Sequence, residues 1–153
     1  MEVKKNLIKL FILLFITNCG FTPIYKNNKN LDLNILVNKL SGDRSTYNLL
    51  SSSLNRYSYD KANKIVKVDI ETTYKKNILA KDSTGKTTDY RIEIKAVFNI
   101  ASKDFEKQIT LIESFDYKSL AKNFEELEYE KTVKQNITNI ISRKLINQLI
   151  NTR

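Results

Sequence analysis

The chain has 153 residues, with 26 Lys and Arg against 17 Asp and Glu, giving a formal net charge of +9. It holds no His, no Trp and a single Cys, which excludes a His-dependent triad, a His general base, a His metal ligand and an internal disulfide. The basic balance points to an anionic partner, although an excess of Lys, Asn and Ile over Arg is also what A/T-rich coding produces.

Taken in chain order, the first element is a leader. Lys4, Lys5 and Lys9 stand against Glu2, Leu10 to Ile16 is unbroken apolar sequence, and Thr17-Asn18-Cys19 closes it. This is the three-part layout of a secretory signal. The apolar run falls well short of the ~20 residues that cross a bilayer. An unpaired thiol is a liability in an oxidising compartment unless something occupies it. Ile16-Thr17-Asn18-Cys19 resembles the bacterial lipobox, whose thiol takes a diacylglycerol before the leader is cleaved. Asn18 departs from the small residue usual before the Cys. The expected layout is a signal peptide over 1–18, a lipid-anchored tether over 19–30 with Cys19 as the lipidation site, and one domain over 31–153. Two or more acyl chains, at about 0.8 kcal/mol per buried CH₂, make a stable anchor. Cleavage removes three Lys and one Glu, so the remainder keeps +7.

Beyond the polar Lys26 to Asn30, Leu31, Leu33, Ile35 and Val37 alternate with polar residues, which predicts a half-buried strand broken by Ser41 to Arg44. From Ser45 the period changes. Tyr47, Leu50, Leu54 and Tyr57 form one helical stripe, predicted to end by Tyr59. Val66, Val68, Ile70, Thr72 and Tyr74 predict a second strand. A turn cluster follows at Lys81 to Thr88. Tyr90, Ile92, Ile94, Ala96, Phe98 and Ile100 give a third strand. Ile109, Leu111, Phe115 and Tyr117 give a fourth, with Glu113 out of place on its inner face. The last segment reads as a helix with Val133, Ile137, Ile140, Ile141, Leu145 and Leu149 on one stripe, interrupted by Gln148. Glu125, Glu126 and Glu128 suit its N-terminus and Lys144 its C-terminus. The order βαβββα predicts an α+β two-layer sandwich. Its four-stranded mixed sheet carries both helices on one face and leaves the other face polar.

Several motifs have plain explanations. Gly85-Lys86-Thr87 matches the end of a P-loop, but the first glycine position is Ala80 and the segment joins two strands, so a hairpin turn is the better reading. Lys75, Lys76, Lys81, Lys86 and Arg91 gather around this hairpin, either as a solvated face or as an anion-binding tip. The aromatic residues fall mainly on inner faces, so no nucleic-acid partner is expected. The glutamates near residue 125 read as helix decoration. No catalytic set, metal site or cofactor is predicted.

Cys19-Gly-Phe-Thr-Pro-Ile-Tyr25 resembles the start of the LptE family of outer-membrane lipoproteins, which partner the LptD barrel in lipopolysaccharide assembly. Thr87 to Ala96, Ser114-Phe-Asp-Tyr117 and Ile140 to Ile146 resemble that family as well. The resemblance implies a non-enzymatic plug in an LptD-type outer-membrane β-barrel, with lipopolysaccharide as an anionic ligand. It makes Lys75, Lys76, Lys81, Lys86 and Arg91 candidate contacts for that ligand. Gly20 stands where Asp would retain many lipoproteins in the inner membrane, so outer-membrane anchoring on the periplasmic face is expected. Two alternatives remain: an auxiliary lipoprotein of another envelope lipid-transport system, and a lipid-anchored hydrolase using a carboxylate pair.

Overall fold

The computed structural model of the protein describes residues 32–151. The expectations for the leader, for Cys19 and for the tether lie outside the described residues. Six elements follow in order: β1 (Leu33–Gly42), α1 (Arg44–Asn55), β2 (Lys64–Lys81), β3 (Thr87–Ser102), β4 (Glu106–Lys118) and α2 (Asn123–Asn151). The strands form one sheet in the order β1-β2-β3-β4, with β1 parallel to β2 and the other two pairings antiparallel. This is the expected βαβββα sandwich.

Period-two alternation sends Val66, Val68, Ile70, Ile92, Ile94, Ala96 and Phe98 to one face, where each is at most 1 % exposed. They join Leu50, Leu54 and the inner row of α2 in a single core. That row is Val133, Ile137, Ile141, Leu145 and Leu149, with Ile146 also buried beside it. Gln148 is exposed and does not interrupt the row, while Ile140 is half-buried on its flank. Thr138 and Ser142 are buried too, and their hydroxyls donate to the Gln135 and Thr138 carbonyls. Among the described residues no helix is long and apolar enough to cross a membrane.

β1 departs from simple alternation. An irregularity between Val37 and Lys39 shifts its phase, so Leu40 comes to lie opposite the inward-facing Ile70. The strand also runs on to Gly42. There φ is +90°, and a Cβ would stand 1.9 Å from the Thr72 carbonyl oxygen, so only glycine fits. Asp43 then caps α1, its Oδ1 accepting from the Thr46 amide at 2.8 Å. α1 ends at Asn55, ahead of the predicted Tyr59. The chain beyond it is drawn onto the edge of β1, where Ser58 Oγ accepts from the Ile35 amide and the Tyr59 amide donates to the Leu33 carbonyl. Arg56 and Ser53 both donate to Asn139 Oδ1 and tie α1 to α2.

Phe115, predicted inward, keeps that parity opposite Ile92 but is 45 % exposed on the edge strand β4. Glu113 does point inward, and Lys144 of α2 reaches over to pair with it. The opposite sheet face is largely polar, with Lys67, Glu71, Arg91 and Lys95 all exposed, although Leu36, Ile65 and Ile112 are exposed on it as well.

Truncating the buried Ile94 to Ala removes volume that the surrounding strands cannot refill. A loss of about 2–5 kcal/mol is expected in chemical denaturation.

Candidate functional site

The five basic residues singled out near the hairpin do not form one cluster. Lys75 lies on the open sheet face, directly opposite Glu93 of β3. Lys81 and Lys86 flank the turn and are exposed. Arg91 is held in a two-pronged pair with Asp116, at 2.7 Å for both bonds. That pair raises the pKa of Arg91 and lowers that of Asp116. Lys76 continues the inward phase of Val66 to Tyr74 and points under α2.

Lys76 is the hub of this end of the molecule. Its ammonium lies 2.8 Å from Glu126 and 3.1 Å from Glu130, one helical turn apart on α2. It also stands 4.2 Å from the centre of the Tyr90 ring and 5.7 Å from that of Tyr117. Burial opposes its charge, but the bond to Glu126, the nearby Tyr117 and the bond to Glu130 outweigh that and hold the pKa above the usual lysine value. Glu126 is lowered chiefly by its bond to Lys76. Its other oxygen accepts from Ser119 Oγ and the Leu120 amide, so one carboxylate grips both the sheet and the loop that starts the helix. For Glu130, burial acts to raise the pKa, but bonds from Tyr74 and Lys76 prevail and lower it. Burial, then the bond to Glu130, pushes Tyr74 well above the usual phenol. Burial likewise raises Tyr117, whose ring packs between Tyr90 and Tyr129 at 5.5 and 5.4 Å.

The glutamates therefore divide by face. Glu126 and Glu130 are docking groups, whereas Glu125 pairs locally with Lys122 and Glu128 lies near Lys131. The pattern reading missed the Lys76–Glu126–Glu130 group. The parity of Lys76 with Tyr74, and the four-residue spacing of the glutamates, were the signals that carried it.

The Gly85-Lys86-Thr87 segment is a hairpin turn. Asp82 Oδ1 accepts from the Thr84 amide, the Thr84 hydroxyl and the Lys86 amide, so those donors are spent within the turn. Around this pole the surface is apolar in places, with Ile78, Leu79, Phe115, Phe124 and Leu127 all exposed. At the opposite pole an open cleft of about 650 Å³ is lined in part by Asp32 and Asp104. Asp32 accepts from the amide and side chain of Asn63 at 2.7 and 3.0 Å, and these bonds lower its pKa. It braces the entry to β2 as an ionised group and is unsuited to act as a general acid.

No family model and no curated protein sequence matches the chain. Solved structures do. The chain is similar to rare lipoprotein B from Shewanella oneidensis, at 18 % identity and TM-score 0.55, over 77 % of this chain and 98 % of that one. It is also similar to a candidate lipoprotein from Caulobacter crescentus, at 12 % identity and TM-score 0.54, over 77 % of this chain and 87 % of the other. The fold is one that bacterial lipoproteins use. At these identities the likeness concerns the fold alone.

Replacing Lys76 with Ala leaves two partly buried carboxylates facing each other. A loss of about 1–3 kcal/mol is expected, below the value for a fully buried pair because water reaches this one. Faster amide exchange over the first turns of α2 should accompany it. The depressed Glu126 and Glu130 contribute stability that is fully present above their unfolded pKa, near 4.3. It is lost as pH falls through their lower folded values. Lys76 acts at the other end, losing its contribution only in strong alkali. Thermal unfolding of the wild type should therefore stay level between about pH 5 and 8 and fall below about pH 4, and Lys76→Ala should flatten the acid limb.

Proposed function

We propose that the chain is an exported lipoprotein, anchored through Cys19 to the periplasmic face of the outer membrane. In this reading it works as a non-enzymatic plug and assembly partner of an LptD-type barrel that delivers lipopolysaccharide. One conjunction carries the reading: a signal-like leader ending in the sole cysteine stands ahead of a fold shared with bacterial lipoproteins. The resemblance of Cys19 to Tyr25 to the start of LptE-family chains supports that family within the lipoproteins. A sheet with one uncovered, largely polar face suits a barrel lumen, which is polar and wet.

The exposed Lys75, Lys81 and Lys86 are the cations of the hairpin left to meet lipid phosphates. Lys76 and Arg91 are already paired within the fold. The anchor supplies membrane residence, the tether of residues 19–30 supplies reach, and the domain supplies contact surface.

Radiolabelled palmitate should enter the wild-type protein and not Cys19→Ser; equal labelling would remove the anchor. Depleting the protein should lower surface lipopolysaccharide and leave the barrel misassembled. Normal barrel levels with unaltered surface glycolipid would point instead to an auxiliary subunit of another envelope lipid-transport system. Lys75→Glu, Lys81→Glu and Lys86→Glu together should weaken binding to purified lipopolysaccharide, most visibly at low salt, because exposed charges are screened within about 8–10 Å at physiological salt. Unchanged binding would place the anion contact elsewhere.

A further inference from the structure

The sheet has a step in it. β1 ends at Gly42, which pairs with Thr72, while β2 continues to Lys81. From Thr73 onward β2 has β3 on one side and no described strand on the other. The Thr72 carbonyl points to the β1 side, where it accepts from the Asp43 amide at 3.1 Å. By the two-residue repeat of a strand, the backbone groups of Tyr74, Lys76 and Ile78 point the same way. They form a row of donors and acceptors aimed at the space where β1 would have continued.

That space has a roof. Lys134 of α2 stands 3.8 Å over the Tyr74 ring of β2, while the opposite flank of the helix rests on β4 through Tyr129 and Tyr117. Leu127 and Lys131 share the stripe of Lys134, so they overhang the free edge of β2. Leu127 is 64 % exposed and Phe124, one turn earlier, is 74 % exposed. The other approach to the step is charged. Between Thr73 and Lys81 the strand carries no carboxylate, and with Lys76 paired beneath α2 its exposed cations are Lys75, across from Glu93, and Lys81. The remaining sheet edges are less available. The start of β1 is covered by the Ser58–Tyr59 segment, and β4 carries the inward Glu113, a device that discourages strand addition.

We propose that the free edge of β2 at Tyr74, Lys76 and Ile78 is a strand-acceptor site for an extended acidic segment of a partner protein. Main-chain bonds to this edge hold the incoming strand. Its apolar side chains turn up to Leu127 and its carboxylates turn down to Lys75 and Lys81. β1 itself begins at the other pole, where Leu33 pairs with Lys64, about 30 Å of strand away from Thr73. The acceptor edge is a property of the sheet and does not require a barrel around the domain.

An end-capped eight-residue peptide of alternating Val and Glu, added to the full chain, tests this by amide hydrogen exchange and titration. The amides of Tyr74, Lys76 and Ile78 should slow. N-methylating the peptide residues that face β2 should weaken binding by at least about tenfold, while N-methylating the alternate residues should not, since only one set of amides faces the edge. The peptide series leaves the protein untouched, so misfolding cannot imitate the result. Lys75→Glu with Lys81→Glu should also weaken binding, more so at low salt. The proposal is overturned by absence of binding at millimolar peptide, by protection at β4, or by equal binding of a peptide with Lys in place of Glu. It is overturned equally if the same three amides are already protected without peptide, whether by the chain's own preceding residues or, at high concentration, by a second copy.

Discussion

A single sheet covered on one face must make its inward positions apolar, and Lys76, like Glu113 on the edge strand, breaks that rule. Inward phase places its ammonium beneath α2, where an unpaired charge would cost several kcal/mol. The answer is local, and it leaves the buried Tyr117 hydroxyl without a hydrogen-bond partner. Glu126 and Glu130 meet the charge from one face of the helix, Tyr90 and Tyr117 present their rings to it, and Tyr74 donates to Glu130. Because all of these lie at the hairpin end, the first turns of α2 are docked by electrostatics, while the rest of the helix is docked by Val133, Ile137, Ile141 and Leu145. One helix is thus held in two different ways along its length. The polar half is the half that answers to pH.

The architecture was legible because each apolar period is clean. Val66 to Thr72 and Ile92 to Ile100 alternate without fault, and all of their inward members are buried. The misses have physical causes that no period contains. The phase shift after Val37 in β1 is an irregularity of the backbone. The early end of α1 reflects Ser58 and Tyr59 being claimed by the edge of β1. Phe115 has the right parity on an edge strand, and parity fixes which way a residue points and not how fully its neighbours cover it. At the candidate site the basic residues were legible as a group in sequence, yet parity divides them. Odd positions such as Lys75 and Arg91 face out while Lys76 faces in, and pairing then removes Arg91 as well.

Gly42 links the fold to the exposed hairpin. A side chain there would collide with the Thr72 carbonyl, so this is the point at which β1 can leave the sheet and Asp43 can begin α1. Leaving early is what makes the step. β2 and β3 are long enough to run past both the end of β1 and the start of α1, and among the described residues their far end is covered by the Lys76-docked part of α2. Ile78, Leu79, Phe124 and Leu127 are exposed at that pole.

The two poles therefore differ in kind. Where β1 begins, the backbone is closed off by side-chain and main-chain bonds, and Asp32 and Asn63 brace the entry. The hairpin pole combines open main-chain groups, exposed apolar side chains and unspent lysines, features that a stable isolated domain has no need to keep together. Exposed apolar surface rimmed by charge marks a contact site more often than a fault of packing. The well-satisfied Lys76 group directly beneath this surface gives it a rigid base, so a partner arriving there meets a formed edge and does not have to order one.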